Sequence, residues 1–118
     1  MAEQISPQTQ HMLMQLQTYQ QQLQVITTQK QQIELQLAEI DAAVDALKDV
    51  KEDTVFKAVG PILAKVNKSD TQKELKQTKE LLELRVKTLE KQVEKVKDKM
   101  KELNDKVAET IPGALKAG

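Results

Sequence analysis

The sequence predicts a mainly α fold, a long antiparallel two-helix coiled coil with one β-hairpin at its bend. Three observations carry that expectation. Apolar residues recur at alternating spacings of three and four along two segments of nearly equal length. Between them, Thr54 to Lys68 is a short run of β-branched and aromatic residues around Gly60-Pro61. One Phe, one Tyr and no Trp are too few large rings for a ring-filled compact core. The apolar fraction of 39% sits beside 31% charged residues, a balance suited to helices that touch along a narrow seam. At 118 residues the chain is at most one domain. Its expected parts are a helix over about 7–51, a hairpin over about 54–67, a helix over about 69–110 and a flexible tail over 111–118.

Ser6-Pro7 opens the first helix, because Ser caps free amides and Pro at the first helical position forfeits no bond. The seam then runs through Leu16, Leu23, Lys30, Leu37 and Val44, interleaved with Tyr19, Ile26, Ile33, Ile40 and Leu47. Lys30 is its only non-apolar member, and a 3.5-residue period held this long is a coiled-coil signature. The polar face changes along the helix. Thirteen Gln and very few charges lie between Gln4 and Gln36, whereas Asp41 to Asp53 is densely charged. Glutamines solvate a helix without fixing ion pairs, and a low-charge surface also repels partners of neither sign.

After Val50 the heptad stops. Val55–Val59 and Ile62–Val66 read as two strands around Gly60-Pro61. A two-residue turn would put Val55, Val59, Ile62 and Val66 on one face; Pro at the second central position fits such a turn poorly, which leaves a wider loop and a shifted register open as the alternative. A lone hairpin is marginal in water, and its two unpaired edges are templates for association, so the bend is expected to oligomerise.

Ser69 or Asp70 is expected to cap the second helix, and Pro112-Gly113 to stop it after fraying near Thr110. Its seam is Leu75, Leu82, Leu89, Val96 and Leu103, interleaved with Lys79, Val86, Val93, Met100 and Val107. Folding back at Gly60 brings the two chain ends together. There Met12, Leu13, Met14 and Leu16 face Met100, Leu103, Val107, Ile111 and Leu115. Met12 and Leu16 fit the seam, while Leu13 and Met14 point off it and are expected to be exposed. Methionine adapts to irregular apolar shapes, which makes Met14 a candidate for protein binding.

Much chemistry is excluded. Eighteen basic residues balance eighteen acidic ones with no basic block, so nucleic acid is not an expected partner. Without cysteine there is no disulfide, thiol catalysis or Cys-based metal site. His11 has no second histidine to complete a metal set, and glycines at 60, 113 and 118 form no phosphate loop. Asp41 and Asp45 are spaced for a solvated helix face. No catalytic, metal or cofactor residue is expected, and no enzyme activity. No leader or membrane-spanning run is apparent, which predicts a cytoplasmic protein away from membranes.

Three stretches carry a family resemblance: LQTYQQQLQVITTQKQQIELQLAEIDAAVDAL, the central VFKAVGPILAKV, and ELLELRVKTLEKQVEKVKDKMKEL. Over essentially its whole length the chain resembles the prefoldin family, on the one-hairpin plan of its beta-type subunits. The resemblance implies an ATP-independent co-chaperone of archaeal type. Two alpha-type and four beta-type subunits would join through their hairpins into a double β-barrel body. The coiled-coil tips would grip non-native client proteins and pass them to a group II chaperonin. Carried onto this chain, the client-binding tip is Met12, Leu13, Met14, Leu16, Met100, Leu103, Val107, Ile111 and Leu115. The oligomerisation set is Val55, Phe56, Val59, Ile62, Leu63 and Val66. The rival reading is a coiled-coil tether or assembly scaffold that binds one folded partner and no clients.

Overall fold

Ser6 starts the first helix as a cap should: the Thr9 amide donates to its Oγ at 3.1 Å and the Gln10 amide to its carbonyl at 2.9 Å. In the computed structural model, which describes residues 5–110, helix α1 spans Pro7–Lys48 and helix α2 Lys68–Thr110. Strands β1, Thr54–Val59, and β2, Ile62–Asn67, join them as an antiparallel pair. The segment 111–118, with Ile111 and Leu115, lies outside the described residues.

Helix α1 ends in tight turns, the Asp49 amide reaching the Ala46 carbonyl at 3.3 Å and the Val50 amide that of Leu47 at 3.2 Å. Lys68 secures the stretch that follows. Its side chain donates to the Val50 carbonyl, and its amide donates to the Asp53 carbonyl at 2.7 Å. The cap of α2 is neither Ser69 nor Asp70 but Asn67, whose Oδ1 accepts the Asp70 amide at 3.1 Å. Because the helix begins at Lys68, Ser69 and Asp70 already lie inside its first turn.

Of the two hairpin registers that the sequence left open, the structure has the one with the two-residue turn. Val59 pairs with Ile62, Val55 with Val66 and Thr54 with Asn67, so the turn holds only Gly60 and Pro61. Gly60 has φ +56°. A positive φ at the first central residue followed by proline's fixed negative φ is the sign pattern of a type II′ turn, which matches the strand twist. Proline therefore suits this two-residue loop, and no wider one is needed.

Every seam position named above is buried or half-buried, on both helices. Contacts divide the chain into two units, one running up to Lys30 and again from Leu89, the other Gln31–Thr88. The first has a core of Met12, Leu16 and Val107, with Met100 and Leu103 packed against it. Enclosing a valine such as Val107 contributes about 2 kcal/mol. The seam's two non-apolar members each meet a carboxylate from the opposite helix. Lys30 lies 3.7 Å from Glu90 in the first unit, and Lys79 lies 2.7 Å from Asp41 in the second. Lysine stems can cover apolar neighbours while their ammonium groups reach the edge.

The hydrogen bond from Lys79 to Asp41, reinforced by the charge of that carboxylate, raises the lysine's pKa above its ordinary 10.5. Lys79 thus holds its proton more tightly folded than unfolded. The pair's contribution is complete below about pH 10.5 and disappears as pH climbs through the raised folded value. Thermal unfolding should show Asp41→Asn melting below the native chain at pH 8, with the gap closing above pH 10.5.

Candidate interaction surfaces

Alternation along the paired strands sets two faces. Val55, Lys57, Val59, Ile62, Ala64 and Val66 share one, and Thr54, Phe56, Ala58, Leu63, Lys65 and Asn67 share the other. Both faces expose large apolar groups: Phe56 is 64% and Leu63 71% exposed on one, and Val59 and Ile62 are exposed on the other. Val55 and Val66 are half-buried. Beside the sheet, a groove of about 390 Å³ is lined by Ala43 and Leu47 of α1, Phe56 of β1, and Leu75 and Thr78 of α2. Lys57 reaches Glu74 at 3.8 Å along this side. The six residues expected to support oligomerisation thus lie on one small sheet with both edges unpaired.

The expected tip residues fall into two groups. Met12, Leu16 and Val107 are buried, and Met100 and Leu103 are half-buried against them, so these five hold the helices together. Leu13 and Met14 are exposed, Met14 by 67%. Tyr19 is half-buried, with the Lys99 ammonium 5.9 Å from its ring centroid, within reach of a cation–π contact.

A chain of hydroxyls closes this end. Ser6 Oγ donates to Thr9 Oγ1 at 2.9 Å, and Thr9 Oγ1 donates to Thr110 Oγ1 at 3.0 Å. Thr110 Oγ1 donates in turn to the Val107 carbonyl at 3.0 Å. Thr9 is only 1% exposed, and a hydroxyl so enclosed is tolerated because both its donor and acceptor capacities are used. The last turn of α2 is therefore tied to the first turn of α1, where the sequence suggested fraying. No local pattern signals a bond between residues so far apart in the chain.

Sequence reasoning also passed over apolar residues lying off the seam. Val25, Leu35, Leu81 and Leu84 are all exposed. Their signal is a heptad phase that disagrees with their chemistry. Among the described residues, no group of three or more His, Cys, Asp or Glu is placed to hold a metal, and no helix is long and apolar enough to cross a membrane.

Two long helices joined by a two-stranded hairpin with exposed apolar side chains define the class of fold. Comparisons with known proteins supply the family. The model described as Prefoldin subunit matches residues 10–114. The prefoldin subunit beta of Archaeoglobus fulgidus is 46% identical over 87 residues, spanning 73% of this chain and 75% of that protein. That of Sulfolobus acidocaldarius is 40% identical over 89 residues, spanning 75% and 71%. The crystal structure of the prefoldin beta subunit from Thermococcus strain KS-1 has a TM-score of 0.84 at 39% identity, covering 94% of this chain and 98% of that one. The chain belongs to the prefoldin family, and its likeness is to beta subunits. It is accordingly a chaperone subunit that assembles with other prefoldin subunits.

Thr9→Val keeps the shape of the buried side chain and removes its two hydroxyl bonds. The expected loss is about 1 kcal/mol in urea unfolding, with helix content by circular dichroism unchanged.

Proposed function

We propose that this chain is the beta-type subunit of a cytoplasmic, ATP-independent holdase. Its hairpin joins those of two alpha-type and three further beta-type subunits in a β-barrel body. Its helix ends take hold of non-native proteins and pass them to a group II chaperonin. The observation carrying this reading is the two-stranded sheet with apolar side chains exposed on both faces. Such a sheet is marginal alone and gains by adding strands, which end its unpaired edges and bury Phe56, Val59, Ile62 and Leu63 together. Val55 and Val66 complete the assembly set.

At the other end, Leu13 and Met14 offer adaptable apolar surface beside a seam already closed by Met12, Leu16 and Val107. Ile111 and Leu115 join them as client-binding residues in this proposal. A tether or scaffold has no use for exposed apolar side chains at its ends, and a holdase does.

Two substitutions separate the roles. Phe56→Asp with Ile62→Asp should dissociate the assembly, read as a fall in mass by light scattering; an unchanged mass refutes the hairpin's role. Leu13→Ser, Met14→Ser and Ile111→Ser together should leave the mass intact and reduce suppression of a denatured enzyme's aggregation several-fold. Protection equal to that of the native chain would refute the tip's role.

A further inference from the structure

The strands of the hairpin, Thr54–Val59 and Ile62–Asn67, hold two lysines and no Asp or Glu. The two lysines stand in different surroundings. Lys57 shares a face with Val59 and Ile62, and its ammonium reaches Glu74 of α2 at 3.8 Å. Lys65 is on the opposite face, directly across from Phe56 and two residues from Leu63, both largely exposed. Lys65 is itself exposed, and among the described residues it has no ion-pair or hydrogen-bond partner. A two-residue turn sets its hydrogen-bonded pair at Val59 and Ile62. Alternation along the antiparallel ladder then leaves Phe56 and Lys65 with their backbone groups turned outward, to the free edges. A strand added beside β2 therefore bonds to Lys65 itself and lays a side chain next to its ammonium.

We propose that the strand added beside β2 carries a carboxylate opposite Lys65, and so comes from a different chain rather than from a second copy of this one. The proposal rests on the assembly role given to the hairpin above and adds the chemistry of the partner. Covering Phe56 and Leu63 takes water away from the ammonium beside them, and a charge that loses water without gaining a counter-charge is strongly disfavoured. Glu74 is already engaged with Lys57 on the other face. The strands of a second copy offer only Thr, Val, Phe, Lys, Ala, Ile, Leu and Asn, in either direction and whichever face they turn to Lys65. None of these can neutralise an ammonium, and a lysine of that copy placed opposite would repel it. An acidic side chain on the added strand meets the charge and lets the apolar pair be covered. Lys65 is thus a specificity-determining residue of the β2 edge, acting by rejection of its own kind as well as by attraction.

The test uses the full-length chain assembled with a prefoldin alpha-type subunit. Zero-length carbodiimide crosslinking followed by mass spectrometry should join Lys65 to an Asp or Glu in a strand of the alpha-type subunit. A link to a second copy of this chain, or none at Lys65, overturns the proposal. Anisotropy of the labelled alpha-type subunit should show Lys65→Gln binding about tenfold more weakly than the native chain, with Lys65→Arg retaining affinity. Raising NaCl from about 0.05 to 0.5 M should weaken the native chain more than Lys65→Gln. A lysine that serves only to keep an edge soluble predicts the reverse, native or tighter binding by Lys65→Gln, and that result also overturns the proposal. Helix content by circular dichroism should stay native in both variants, because the side chain is exposed. If Phe56→Asp with Ile62→Asp dissociates the assembly while Lys65→Gln binds as the native chain does, the hairpin's role stands and that of Lys65 falls. If neither has an effect, both readings fall.

Discussion

Two of every seven side chains along α1 and α2 turn inward, and a stripe that narrow cannot also furnish a globular core. All else about the molecule follows from how little it encloses. Most seam residues are half-buried, and a few such as Ile33, Leu89, Val96 and Val107 are buried. Among the described residues the seam encloses few side chains and leaves most of each helix exposed. Function is left to surfaces that the seam does not use.

Those surfaces differ in kind. The hairpin offers backbone edges and a few large apolar groups, the materials of strand addition. The exposed part of α1 offers amides, hydroxyls and thioethers, materials that make weak and adaptable contacts. Between the helices, buried polar groups are few and satisfied. The Thr9 hydroxyl donates a hydrogen bond to Thr110 Oγ1, and no buried side-chain oxygen or nitrogen is left without a partner among the described residues.

The seam was fully legible in the sequence because periodicity is a local property, and every position it named is at least half-buried. The strands were legible for the same reason. Their register was not, since proline's fit in a tight turn depends on the sign of φ at the preceding glycine, which composition does not disclose. Ser69 and Asp70 were attractive caps by residue type, yet Asn67 stands where the chain leaves the sheet and takes that place. The Ser6–Thr9–Thr110 chain was invisible because it links residues at opposite ends of the sequence. At the candidate tip, helical phase separated exposed Leu13 and Met14 from buried Met12 and Leu16. Val25, Leu35, Leu81 and Leu84 were missed because a search for one period sets aside whatever falls outside it.

The lysines within the seam carry a consequence for mispairing. Were two copies to zip α1 against α1 in parallel and in register, Lys30 would confront its own twin; α2 against α2 would do the same with Lys79. Neither arrangement supplies Glu90 or Asp41 across the gap. Self-recognition between like helices is thereby discouraged at two separate positions along the seam.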